Sequence, residues 1–453
     1  MVRVVLCGTH PDQYNGYSKV VYELAKQLST YDHIQLYIYG FQNFYDGADH
    51  KIARSLPSNV EVYDAFKHEE PKNKGFGETL FVDYVKRIDP DVLIVYNDIV
   101  IISTFLDLVK KNMPNHRFKL IPYIDIVYRN EKNSLIAKIN EMVDGGIMFT
   151  KHWEDTIRNQ GFTKPLYVLE HGFNPRQFYP VPKNLARQFF SLKDTDFVIL
   201  NLNRNQPRKR WDICIMAFVK FLSRNRDAQI RMILAASLQG SWDLVDLIVS
   251  ESRKYGMTVH DVKKHLVVMQ NPQRLTDFDV NVMYNAADVG INTCDGEGFG
   301  LCNFEQAGVG VPQVVPNIGG FRDFFDGDTA LLLDPKWSFY CDHSRDFVSG
   351  EAQVCAVDDY VDALEYMLHN PSARNELGKN ARRKIMTHYD WKEKGKKLVD
   401  IIDKVAPPTP EVIPIDLTNK VQEGISPTTL QNEDVDNMSA EELRQLVKRL
   451  QGV

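Results

Sequence analysis

Apolar and polar positions along this chain fall into two rhythms that keep changing places. Short runs that are apolar almost throughout, such as VRVVLCG, IQLYIYG and DVLIVYN, read as strands buried on both faces. Between them, SKVVYELAKQL, FVDYVKRI and KHWEDTIRNQG repeat their apolar residues at helical spacing and read as amphipathic helices. VEVYD, KLIPYIDI and GGIMFT add further strands. Such alternation implies a parallel sheet with helices on both faces.

The text changes at YPVPKNLA, where Pro180 and Pro182 bracket a linker, and then the alternation restarts. FVILNLN, IRMILAA, LVVMQ, DVGINTC, VPQVVPN and ALLLDP supply a second set of strands, with WDICIMAFVKFL a helix among them. The pattern predicts an α/β protein of two doubly wound, Rossmann-like domains, over residues 1–178 and 183–380. They face a central cleft at the carboxyl ends of their strands, where such sheets bind ligands. A polar, proline-rich stretch predicts a flexible linker over 405–438. MSAEELRQLVKRLQ predicts an amphipathic tail helix over 439–451, opened by a capping box of Ser439 and Glu442. Leu443, Leu446, Val447 and Leu450 line one face, and so short a helix needs a surface to dock on. The body of the chain, a partner and self-association all remain open.

Composition narrows the class. A length of 453 residues exceeds what one core usually serves. The 54 basic and 60 acidic residues leave a net charge of −6, with none of the basic field of a nucleic-acid binder. Cys7, Cys214, Cys294, Cys302, Cys341 and Cys355 are scattered without a C-x-x-C pair, which suits a reduced, cytoplasmic chain better than disulfides or zinc. MVRVVLCGTH turns polar too quickly for a signal peptide. DVLIVYNDIVIISTFLDLV is broken by Asn97, Asp98 and Asp107, so it reads as a strand and a helix rather than a membrane span.

The densest chemistry lies in EGFGLCNFE. Glu297 follows a strand, Gly298 and Gly300 let backbone N–H groups approach a ligand, and a helix beginning near Leu301 turns its positive end to the same spot. Glu305 stands within that helix's first turns, where it could accept two hydroxyls of one sugar ring. Together these features describe a nucleotide-sugar pocket. By itself the segment also reads as a strand–helix turn with a dipole-compensating glutamate. RNQPRKRWDICIMAF follows the strand FVILNLN and places Arg204 and Lys209 on a loop opening into the same cleft. Cations there favour a transition state in which a departing diphosphate gains charge. Arg208 and Arg210 read as a solvated basic loop. Asp194-Thr195-Asp196 and Asp277-Phe278-Asp279 read as turn and helix-start chemistry, and Cys341, His343 and Cys355 match no zinc spacing. His171 reads as shaping the domain junction.

This combination resembles the retaining GT-B glycosyltransferases of the group-one branch, which includes sucrose and glycogen synthases. Arg204 with a lysine five positions on, EGFGL with Glu297 and Glu305, GVPQVVPNIGGFRDFF, DGDTALLLDP, NGYSKVVYELAKQL, LEHGFNPRQFYP and HYDWKEKGKKL carry the likeness, in order. The resemblance implies an acceptor domain first, a nucleotide-sugar domain second, and a helix over 381–404 crossing back to the first. Arg204 and Lys209 would bind the diphosphate, and Glu297 would touch the donor sugar. Phe299, Gly300 and Leu301 would offer amides, Glu305 would hold the ribose, and Gly16 would let backbone approach the phosphates or sugar. Where many relatives carry a histidine, IPYIDIVYR offers Asp125, which would accept a sugar hydroxyl or the acceptor's proton, or else simply cap a turn.

The implied activity is hexose transfer from a UDP- or GDP-sugar to a hydroxyl of a glycan, protein or small molecule. Configuration would be retained, with no metal and no cofactor beyond the co-substrate. The alternatives are a nucleotide-sugar epimerase of the same fold and an inactive glycan- or nucleotide-binding paralogue.

Overall fold

The computed structural model describes residues 1–44, 54–70, 75–269 and 275–407. The expected tail helix over 439–451, and all of the 405–438 linker beyond its first three residues, lie outside these. Two parallel sheets organise the rest. The first contains β1 (Val2–Thr9), β2 (Ile34–Phe41), β3 (Glu61–Asp64), β4 (Val92–Asp98), β5 (Lys119–Leu120), β6 (Tyr123–Asp125), β7 (Gly146–Met148) and β8 (Leu166–Val168). Their order is β3-β2-β1-β4-β6-β7-β8, with β5 also beside β4. KLIPYIDI thus forms two short strands flanking Ile121 and Pro122, and proline cannot donate to a ladder. The second sheet contains β9 (Phe197–Leu202), β10 (Ile230–Ala235), β11 (Leu266–Val268), β12 (Val289–Ile291), β13 (Gln313–Pro316) and β14 (Leu331–Leu333), in the order β11-β10-β9-β12-β13-β14.

Central strands are apolar throughout because helices cover both faces. All but one residue of β1 and of β9 is buried. The helix Gly16–Leu28 starts where Asn15 and Ser18 form a capping box, and it buries Val20, Val21, Leu24, Ala25 and Leu28 against the sheet. The run DVLIVYNDIVIISTFLDLV is β4 followed by the helix Ile99–Asn112. No helix among the described residues is long and apolar enough to cross a membrane.

Two segments differ from the sequence reading, and a third adds a hairpin. The proline-bracketed linker is pinned to the second domain, where Asn281 and Asn285 accept the backbone N–H groups of Tyr179 and Val181 at 3.1 and 2.8 Å. The stretch 381–404 is not one helix: Pro371–His388 ends at Tyr389, and Trp391–Val405 starts anew under an Asp390 cap. This last helix lies on the first domain, where Lys394 and Lys397 reach Glu170 and His33 meets Asp403. The long loop after β14 contains an antiparallel hairpin, β15 (Trp337–Cys341) with β16 (Gly350–Val354). It reaches back to the first domain, where Arg129 makes a two-pronged ion pair with Glu351 at 3.0 and 2.7 Å.

Candidate functional site

In each sheet the chain reverses its winding between the first and fourth strands, so loops leaving those strands frame a crevice. β1 and β4 supply them in the first domain, β9 and β12 in the second, and the crevices merge into one cleft of about 760 Å³. All nine sequence-predicted residues line it: Gly16, Asp125, Arg204, Lys209, Glu297, Phe299, Gly300, Leu301 and Glu305.

The loop after β9 tightens into a 3-10 turn over Pro207–Lys209 and enters the helix Trp211–Arg224 through Arg210 at φ 47°. That turn carries Lys209 inward, where it is buried and its Nζ donates to Glu297 Oε2. Arg204, at the start of the loop, is exposed at the cleft. Arg208 is no solvated loop residue. Its guanidinium stands 3.6 Å from Glu297 Oε1 and donates to the Gly296 carbonyl at 3.2 Å. Arg210 is not solvated either, because Asp212 and Asp295 both pair with it. Burial opposes charge on Glu297, yet Lys209 and Arg208 together hold its carboxyl below the ordinary range.

β12 feeds the glycine turn. A Cβ at Gly298 would collide with Asp125 Oδ1, and its carbonyl accepts Trp153 Nε1 from the first domain at 2.6 Å. Gly300 adopts φ 93°, a region glycine favours, and starts the helix Leu301–Gly308. The Phe299 side chain packs into the interior against His171, Phe304 and Phe324. Glu305 is buried and accepts Tyr284 Oη at 2.9 Å and Lys19 Nζ at 3.1 Å.

From the first domain, Gly16 opens its helix opposite Leu301, whose Cδ2 would be 3.4 Å from a Cβ there. Asp125 ends β6 with its carboxylate buried. Tyr17 Oη lies 2.6 Å from Asp125 Oδ2 and 2.9 Å from Asp98 Oδ1, bracketed by two acids. Asp125 Oδ1 has no hydrogen-bond partner among the described residues. Burial and the neighbouring Asp98 push the Asp125 carboxyl up to about 7. His171 is held neutral by burial, its pKa down to about 3, with Nδ1 3.0 Å from Tyr123 Oη.

Sequence reasoning missed Tyr17, Lys19, Asp98, Arg208 and Tyr284. Tyr17 and Lys19 had a signal, since they occupy the first turn of a helix opening at Gly16. Asp196 pairs with Arg231, and Asp279 caps the helix Asp277–Ala286 through Thr276. No group of three or more His, Cys, Asp or Glu among the described residues is arranged to hold a metal ion.

A family model described as Glycosyl transferase-like matches residues 246–400. The chain is 23% identical to a D-inositol 3-phosphate glycosyltransferase of Rhodococcus erythropolis over 241 residues, 53% of this chain and 48% of that protein. It thus spans about half the length of the curated relatives it matches. Among solved structures, a sucrose-phosphate synthase from Thermosynechococcus elongatus superposes with a TM-score of 0.67 at 16% identity, over 89% of this chain and 99% of that one. Anabaena HepE in complex with UDP and glucose gives 0.65 at 14% identity, over 89% and 100%. The fold is GT-B, and these findings bear out the resemblance to group-one GT-B glycosyltransferases.

Proposed function

We propose that this protein transfers a hexose from a UDP- or GDP-sugar to a hydroxyl acceptor, with retention of configuration. The observation that carries the reading is the buried Lys209–Glu297 pair, flanked by Arg208, at the switch point of the second sheet. Arg204 and Lys209 take the diphosphate, whose charge grows as its bond to the sugar breaks, so their attraction strengthens toward the transition state. Glu297, kept ionised by the same cations, accepts hydroxyls of the donor sugar, while amides near Gly300 and Leu301 approach the phosphates. Glu305 accepts the ribose hydroxyls.

With this cation set the transfer proceeds without a metal, on the front face of the sugar, and the leaving phosphate takes the acceptor's proton. Asp125 stands on the acceptor side as a hydrogen-bonding group. A relative named as a glycosyltransferase and a neighbour solved with UDP and glucose favour transfer from a UDP-sugar over epimerisation. The test is to incubate purified protein with a panel of UDP- and GDP-sugars and measure nucleotide release. Turnover of at least one donor, with the anomeric configuration of the product retained, is expected. Tight nucleotide binding without turnover of any donor would reduce the protein to a binding module.

A further inference from the structure

The proposed ribose acid is met from the opposite wall of the cleft. Lys19, on the first-domain helix Gly16–Leu28, donates to Glu305 Oε1 at 3.1 Å and to Oε2 at 3.3 Å. The same ammonium stands 3.3 Å from Asp277 Oδ1 and 4.6 Å from the centre of the Phe178 ring. We infer that Lys19 is a positioning residue for nucleotide recognition. From the first domain it holds Glu305 oriented to accept ribose hydroxyls, so that nucleotide recognition draws on both walls of the cleft. The inference rests on the reading of Glu305 as the ribose acid.

Counting acceptor sites supports it. A carboxylate offers about four lone-pair positions. Lys19 occupies one on each Glu305 oxygen, and Tyr284 takes a second on Oε2. A single position remains for one ribose hydroxyl. A second hydroxyl needs Lys19 to release one contact, and Asp277 is close enough to take up the freed N–H. Nucleotide binding therefore rearranges a contact already shared by both domains.

Charge gives the lysine its second task. The groups facing Glu305 are Lys19 from the first domain, Asp277 and Tyr284 from the helix Asp277–Ala286, and Cys302 from its own helix. Lys19 alone among them is a cation. Burial and Asp277 push the Glu305 carboxyl up, while Lys19 and the Tyr284 hydroxyl pull it down, leaving it above the ordinary range. Without Lys19 it rises further, and a smaller share of the acid is ionised at any given pH. Because an acid ionises as pH rises, an alkaline medium restores the acceptor that the lysine had maintained.

Calorimetric affinities of the full chain for UDP and GDP, from mildly acidic to mildly alkaline pH, test this. For whichever nucleotide binds the wild type, Lys19→Met is expected to weaken binding about tenfold at the acidic end, with the deficit shrinking as pH rises. Lys19→Arg should stay near wild type, and Glu305→Gln should bind weakly at every pH. A Lys19→Met protein that binds as tightly as wild type, or tighter, overturns the inference, as does a deficit that does not change with pH. Normal binding by Glu305→Gln would instead remove the ribose reading, and the role of Lys19 with it.

Discussion

The two Rossmann-like sheets share the strand order around their switch points, yet the two walls of the cleft they frame hold buried carboxylates in opposite states. In the second domain, burial works against the charge on Glu297, but Lys209 and Arg208 overcome it and hold the acid below its usual range. In the first domain Asp125 is equally buried, the charge that acts on it most is another acid, Asp98, and burial and that acid push its carboxyl up to about 7. The Tyr17 hydroxyl and Arg208 offset this only in part. Burial is common to both, so the sign of the neighbour decides. The fold sets where the cleft forms, and the residues lining it set the charge state of its acids: a carboxyl held down by cations in the second domain, and one pushed up by burial and a second acid in the first.

The sharpest way to break this contrast is to remove the cations. Lys209→Ala and Arg204→Ala should each lower turnover about a hundredfold or more in steady-state kinetics. Their stabilities should diverge. Arg204 is exposed, so its loss should leave the melting temperature unchanged. Lys209 leaves Glu297 buried without its closest counter-charge, which should cost about 3 kcal/mol in denaturant unfolding. Near-normal turnover in either variant would remove the diphosphate assignment.

Next in size is the division between the two glutamates. Glu305→Ala should weaken both donor and free nucleoside diphosphate about tenfold by calorimetry, because both carry the ribose. Glu297→Ala should spare the free nucleotide and impair transfer. Equal losses for the free nucleotide would show that the roles are not divided.

A smaller effect sharpens the acidic side. The folded-state pKa of Asp125 lies above its unfolded value, so between those two values the folded chain binds more protons and loses stability as pH rises. Asp125→Asn cannot ionise. Relative to wild type it should therefore gain thermal stability progressively from about pH 4 to about pH 7, and level off above. A stability difference that stays flat across this window would refute the raised Asp125 carboxyl beside Asp98 and Tyr17.

Two further interventions should change nothing. EDTA should leave turnover intact, since the proposed charge comes from side chains, and a magnesium-reversible loss would point to a metal. A chain ending at Ala406 should keep its donor affinity and transfer rate on a soluble acceptor, because the nine proposed residues all precede it. Light scattering of the shortened and full chains would then show whether the tail serves self-association.

Much of this site was legible because it is local. Glu297, Gly298, Gly300 and Glu305 sit on one strand–turn–helix unit, and Arg204 and Lys209 on another, so short-range spacing was enough to mark them. The states of these residues were not legible. Arg208 and Arg210 looked like solvated loop residues until the turn Pro207–Lys209 and Asp295 placed them against acids. The hairpin β15–β16 went unread for a similar reason. Four of the five residues of Trp337–Cys341 are exposed, so the strand carries no buried alternation to announce it.

The sequence by itself determined the alternation of strands and helices, the two domains' worth of pattern, and the glycine turn with its paired acids. Each depends on residues within a few positions of one another, where backbone preference and apolar periodicity act directly. Tertiary structure alone decided that Lys19 meets Glu305, 286 residues away, and that Tyr17 joins Asp98 and Asp125, 81 and 108 residues away. Those contacts exist only when the sheet orders bring loops from distant strands into one cleft. Only burial in that cleft, away from water, lets a few neighbouring charges shift an acid so far.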